Sequence, residues 1–170
     1  MSAATVFPPG TGVVALADIA HLTGLEVLQA VRDGKFPAPP ISAVLDFALT
    51  EVEHGRVVFT GRPRVAFYNP LGTVHGGWIG TLLDSCLGCA VHATLAAGEA
   101  YTTVEYKVNF VKAVTERTGE VKAEGRVTSR GRRIATSEGR LVDAKGTVLA
   151  LGTTTCLIFP LSEMMPKPSA

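Results

Sequence analysis

Between Gly76 and Ala97 the chain is apolar on almost every side: Trp78, Ile79, Leu82, Leu83, Cys86, Leu87, Ala90, Val91 and Leu95 leave hardly any polar face. A helix with that pattern is stable only when other elements surround it. The exceptions are Thr81, Asp84, Ser85, Gly88 and His92, which recur at spacings of three and four and so define one narrow seam. The fold must therefore wrap this helix while leaving a thin polar line along it.

Strand-like runs supply the wrapping. Val44 to Val52 reads as a strand ending near His54-Gly55, and a second starts at Arg56 and runs through Thr60, with Phe67 as its outer limit. After the helix come Tyr101 to Val111, Gly119 to Thr128, Arg133 to Asp143, and Thr147 to Phe159. Turn residues separate them, at Gly119, Arg130-Gly131-Arg132 and Ala144-Lys145-Gly146. In the first of these four, Val104, Tyr106, Val108 and Phe110 alternate with Thr103, Glu105, Lys107 and Asn109. The expectation is an α+β fold with an antiparallel sheet of about six strands around one long helix.

Ahead of the sheet, Ala15 to Gly34 carries a helical pattern broken near Gly24, and Pro37 to Pro40 predicts an extended connector. This divides the chain into a lead-in over 1–40, a main domain over 41–160 and a tail over 161–170; Met1 to Gly12 and Pro160 to Ala170 read as loose ends. With 170 residues, 46% of them hydrophobic, the chain fits one domain with a substantial core. A net charge of +1 gives no field for nucleic acid or an anionic membrane. The N-terminus lacks the basic start and apolar block of a signal peptide, and no run reaches membrane-spanning length. Three cysteines, an odd number, point to reduced thiols and a cytoplasmic setting.

Asp84 is costly inside such a helix, and no Arg or Lys lies within a turn of it. Either it is exposed or bonded to a neighbouring strand, or something uses it. The helix start poses the same question. Gly76 and Gly77 would present unpaired N–H groups at the positive end of the helix dipole, with no side chain in the way, which suits an oxyanion or anion cradle. The bland reading is a tight helix entry. Gly76 and Asp84 stand eight residues apart, roughly 12 Å along a helix. One carbonyl cannot meet both on one helix. If both serve one reaction, the carboxylate must come from a second copy related by a two-fold axis.

The run Asn69-Pro70-Leu71-Gly72-Thr73-Val74-His75-Gly76-Gly77, followed by Leu82-Leu83-Asp84, resembles the signature of hotdog-fold acyl-CoA thioesterases of the phenylacetic-acid-degradation (PaaI) type. The likeness extends from about Ala15 to Phe159. It implies the hotdog fold, acyl-CoA as substrate and no cofactor beyond the coenzyme A carried by the substrate. It also implies a homodimer, assembled into a homotetramer. Gly76 would donate its N–H to the thioester oxygen, and Asp84 of the partner subunit would act as base or nucleophile. Asn69 would orient water or hold the thioester, and His75 and Gly77 would support the loop and the substrate. Thr103, or Thr102 beside it, would assist the water, since a one-residue register change swaps faces. Arg130, Arg132 and Arg133 would grip the nucleotide phosphates, against the alternative of a solvated basic turn.

Other readings are weaker. Cys86 and Cys89 form a C-x-x-C pair deep inside the helix, where the dipole gives no thiol activation, and they read as small core residues, with no metal site expected. Trp78 suits a core or dimer contact, and His21 and His92 suit surface or satisfied positions. A non-catalytic acyl-CoA-binding module on the same fold is the main rival, and a hydratase or dehydratase the second.

Overall fold

The computed structural model describes residues 7–164. Its elements are α1 (Leu16–Ile19), α2 (Gly24–Arg32), α3 (Pro40–Leu45), β1 (Phe47–Glu53), β2 (Arg56–Gly61), α4 (Gly76–His92), β3 (Glu99–Phe110), β4 (Val121–Arg130), β5 (Ile134–Asp143) and β6 (Val148–Pro160). The strands form one antiparallel sheet in the order β1-β2-β4-β5-β6-β3, which curls around α4. Leu82, Leu83, Cys86 and Leu87 of α4 are fully buried, while Thr81, Asp84, Ser85 and His92 are half-buried. The expected seam is therefore real.

Close contact between helix and sheet depends on three glycines. Gly125 pairs with Gly139, which pairs with Gly152, so they form one row across β4, β5 and β6. A Cβ on Gly125 would lie 2.3 Å from the Cys86 carbonyl oxygen, and one on Gly139 or Gly152 would press on Leu87. The row lets the helix backbone settle onto the sheet.

Four expectations need correction. Val44 and Leu45 are helical rather than extended, because Pro40 occupies the first turn of α3 and suits a helix start. Asp46 then ends that helix in the left-handed region at φ 52°, and the strand begins only at Phe47. The second strand stops at Gly61, since Pro63 has no N–H to donate, and Val65–Phe67 is a 3-10 turn. Helix α4 ends at His92 instead of Ala97; its last turn tightens into bonds from Thr94 N to Val91 O and from Leu95 N to His92 O. The fourth correction concerns β3. Its register with β6 shifts between Thr103 and Glu105, a β-bulge at Val104. One extra residue reverses the alternation, so Thr103 faces α4 together with Tyr106 and Phe110 rather than opposite to them.

The lead-in forms two helices, separated at residues 20–23. A full capping box starts α2: Thr23 accepts from Glu26 N at 3.3 Å, and Glu26 accepts from Thr23 N at 2.8 Å. Gly24 lies directly on the His92 carbonyl at the end of α4. Residues 37–39 are extended, and Ala38 bridges to Thr11.

Candidate active site

The feature that organises the site is a line of contacts between α4 and the edge strand β3. Where Cβ atoms would stand on Gly76, Gly80 and Gly88, the structure holds the Phe110 ring at 2.9 Å, the Tyr106 hydroxyl at 3.2 Å and the Tyr101 hydroxyl at 2.9 Å. These glycines and Asp84 repeat every four residues on one side of the helix. Asp84 thus occupies the one position in the series with a functional side chain, and the Thr103 side chain stands close enough to favour its charged form. Burial raises the Asp84 carboxyl above its ordinary value, and Thr103 only partly opposes that. Thr102, next in the strand, is exposed and faces away.

At the start of α4, His75 is the N-cap, and its Nδ1 accepts the Gly77 N–H at 2.8 Å. His75 Nε2 therefore carries the proton in the neutral ring. Gly77 N–H is occupied by this cap. Among the described residues, no acceptor takes the Gly76 N–H. It borders a cavity of about 350 Å³ lined also by Asn69, Thr73, Phe110 and Lys112. Asn69 shapes the approach: its Oδ1 accepts from Leu71 N at 2.9 Å and Thr73 N at 3.3 Å, and its Nδ2 donates to Thr73 Oγ1 at 2.9 Å. Gly72 completes this turn at φ 81°, a value that favours glycine. Asp84 does not line this cavity.

Residues 71–150 match the family model of the thioesterase superfamily. A phenylacetic acid degradation-related protein of Ralstonia eutropha JMP134 superposes with a TM-score of 0.69 at 27% identity, covering 76% of this chain and 98% of that one. The chain has the hotdog fold. The E. coli PaaI protein from the phenylacetic acid degradation operon shares the fold, with a TM-score of 0.70 at 15% identity over 81% of this chain and 96% of its own. A Streptococcus mutans UA159 protein solved with acetyl-CoA gives a TM-score of 0.61 at 24% identity, covering 68% and 90%. No curated protein sequence matches the chain significantly.

The basic turn of this hotdog protein lies elsewhere. Arg130 pairs with Ala135, Ala135 with Cys156, and Cys156 with Thr103, so the turn shares a row of the sheet with Thr103, about 14 Å away at strand spacing. Within one chain it accompanies Asp84 and stands far from Gly76. Arg130 donates to Glu99 at 2.7 Å and to the Gly131 carbonyl, while its buried Nε has no partner among the described residues. Arg132 and Arg133 are exposed and border a cleft of about 440 Å³ with Glu163.

Two further candidates behave as core. Trp78 stacks on Phe67 at 5.8 Å and donates its indole N–H to the Leu45 carbonyl at 2.8 Å. The Cys86 and Cys89 thiols are raised by burial, Cys89 to about 12, which leaves them protonated and unreactive. Sequence reasoning missed Lys112 and Phe110 beside Gly76, and Tyr101 beside Gly88. The aromatic residues looked like ordinary strand alternation, and nothing in the motif marks Lys112.

Proposed function

We propose that the protein is an acyl-CoA thioesterase whose two active sites each combine the Gly76 end of one subunit with Asp84 of its partner. The observation that carries this reading is the separation within one chain. The free Gly76 N–H and Asn69 share one cavity, while the half-buried carboxylate beside Thr103 lies on the same side of α4 more than two helical turns away. A second copy brings them together.

The edge strand favours such pairing. β3 is an outer strand of 12 residues, and Val104, Tyr106, Phe110 and the following Val111 are all exposed. A long apolar edge is a template for another strand, and a single chain rarely leaves one open. Pairing two β3 edges about a two-fold axis would lay the two α4 helices side by side in opposite directions.

In the composite site the thioester oxygen lies against the Gly76 N–H. Asp84 accepts a proton from water, the resulting hydroxide adds to the carbonyl carbon, and the oxyanion draws on the Gly76 donor and the helix dipole. Collapse breaks the C–S bond, and the departing thiolate takes the proton from Asp84. Free acid and coenzyme A leave. No metal or further cofactor enters this scheme.

Subunit complementation tests the arrangement. Gly76→Pro removes the N–H at a helix position that tolerates proline, and His75 at ψ 137° already has the conformation a following proline requires. Gly76→Pro and Asp84→Asn should each be nearly inactive in release of free thiol from acyl-CoA. An exchanged equimolar mixture should recover about a quarter of wild-type activity, because half the dimers are mixed and each has one intact site. Absence of recovery after proven exchange would refute the shared site, and absence of thiol release by the wild type would favour the binding-module reading.

A further inference from the structure

We infer that Tyr101 is the chain-length stop of the acyl site, closing the α4–β3 seam before it reaches a largely apolar cavity beneath the lead-in helices. This rests on the thioesterase reading above, because it takes the reacting carbonyl to lie beside Asp84. From Asp84 an acyl chain can follow the line of α4–β3 contacts in two directions. Toward the start of α4, Tyr106 fills the space over Gly80. Toward the other end, the next small residue is Gly88, and there the Tyr101 hydroxyl lies 2.9 Å from where a Cβ would be. Its phenol stands near the Cys89 thiol, and its ring rests 5.5 Å from the His92 ring. The side chain is thus held from three sides, as a wall must be.

Behind Tyr101 is a cavity of about 160 Å³. Tyr101 and His92 form one side, and Leu16, Ile19, Val27 and Leu161 form much of the rest. Glu99 also borders it, and the apolar remainder offers room for a guest of about six carbons. His92 does not spoil this character, since burial lowers its pKa to about 4 and keeps the imidazole neutral near pH 7. The lead-in that builds the cavity is bonded to it by Gly24 N donating to the Leu95 carbonyl at 3.0 Å. The space therefore belongs to the folded chain but is cut off from Asp84 by one ring. The wild type should accept acyl groups that end at Tyr101 and reject long straight chains.

The test uses S-alkyl-CoA thioethers, which cannot be hydrolysed, in a length series from butyl to dodecyl, with affinity measured by calorimetry. For the wild type, affinity should stop rising with length at short chains. Tyr101→Ala should move that limit outward by several carbons, with a ten-fold or greater gain for the longest ligands relative to the shortest. Tyr101→Leu, which keeps more of the core packing, should give a smaller shift in the same direction. Tyr101→Phe keeps the ring and should leave the length limit in place. Adding Leu161→Phe to Tyr101→Ala should pull the limit back by filling the cavity. Equal length profiles for wild type, Tyr101→Ala and Tyr101→Leu would overturn the stop while leaving the thioesterase reading intact. Tight binding of dodecyl-CoA by the wild type would do the same. Failure of every thioether to bind would overturn both.

Discussion

His75 caps the helix that follows it, with its Nδ1 accepting the Gly77 N–H at 2.8 Å, and this leaves the neighbouring Gly76 N–H as the free donor. The two glycines of the motif therefore do different things: one is held by the cap and the other faces the cavity. Replacing His75 with Ala should cost about 1 kcal/mol, seen as a lower melting temperature, because a side-chain cap is lost. His75→Asn should recover most of that stability, since asparagine is among the best N-caps. If His75 acts only by capping and positioning, His75→Asn should also recover most of the kcat lost in His75→Ala. A role in proton transfer would leave His75→Asn as slow as His75→Ala.

Asp84 and Thr103 make a second, pH-dependent prediction. The carboxylate is the active form of the base, so kcat/KM should rise with pH through the Asp84 pKa, which burial places above the ordinary carboxylate value. Thr103→Ala removes the contact that lowers this pKa, and the acid limb should move to higher pH. Thr102→Ala should leave the limb in place, because Thr102 faces away. Stability moves in the opposite sense. A carboxyl with a raised pKa in the folded state binds its proton more tightly there than in the unfolded chain, so its contribution falls as pH rises from the unfolded value through the folded one. Asp84→Asn should therefore melt above the wild type at pH 7, and the difference should vanish below the ordinary carboxylate pKa, about 3.9. A variant that is less active yet more stable at pH 7, and only there, would identify the cost of holding this charge in the seam.

Much of this arrangement was legible in the chain itself. The nearly all-apolar pattern from Trp78 to Leu95 demanded a surrounded helix, and the exceptions at Asp84 and His92 fell on the seam that the structure shows. Periodicity failed where one residue altered it. The bulge at Val104 cannot be seen in a pattern of alternating side chains, yet it decides that Thr103 faces Asp84. The strand reading of Val44 and Leu45 failed because apolar residues near a proline fit a short helix as well as a strand. Tyr101 and Phe110 were hidden for a different reason: their meaning lies in glycines on another element, Gly88 and Gly76, which no alternation within the strand can reveal.

Glycines with tight surroundings separate into two groups by what they touch. A methyl on Gly125 would meet backbone, the Cys86 carbonyl at 2.3 Å, and neither helix nor sheet can yield without losing core contacts. Gly125→Ala should destabilise by about 1–3 kcal/mol or prevent folding, as overpacking does. A methyl on Gly76 would meet the Phe110 ring at 2.9 Å, an exposed side chain that can turn aside. Gly76→Ala should therefore fold with nearly wild-type melting but lose activity, because the methyl and the displaced ring crowd the donor. Pairing Gly76→Ala with Phe110→Ala should restore part of kcat if crowding by the ring is the cause.

Three arginines in one turn should behave in two ways. Arg130 has a fixed partner, Glu99 at 2.7 Å, and its guanidinium is partly buried, so its ionic contact belongs to the fold. Arg130→Ala leaves Glu99 without its partner at the start of β3 and should lower the melting temperature, with a modest effect on KM. Arg132 and Arg133 have exposed side chains beside the cleft with Glu163, free to meet an anion. If they hold the phosphates of coenzyme A, Arg133→Ala should raise KM for the full acyl-CoA several-fold while leaving melting unchanged. A truncated thioester lacking the nucleotide separates the causes: its KM should be the same for wild type and Arg133→Ala. An equal rise for both substrates would remove Arg133 from phosphate binding and leave the turn as a solvated basic hairpin.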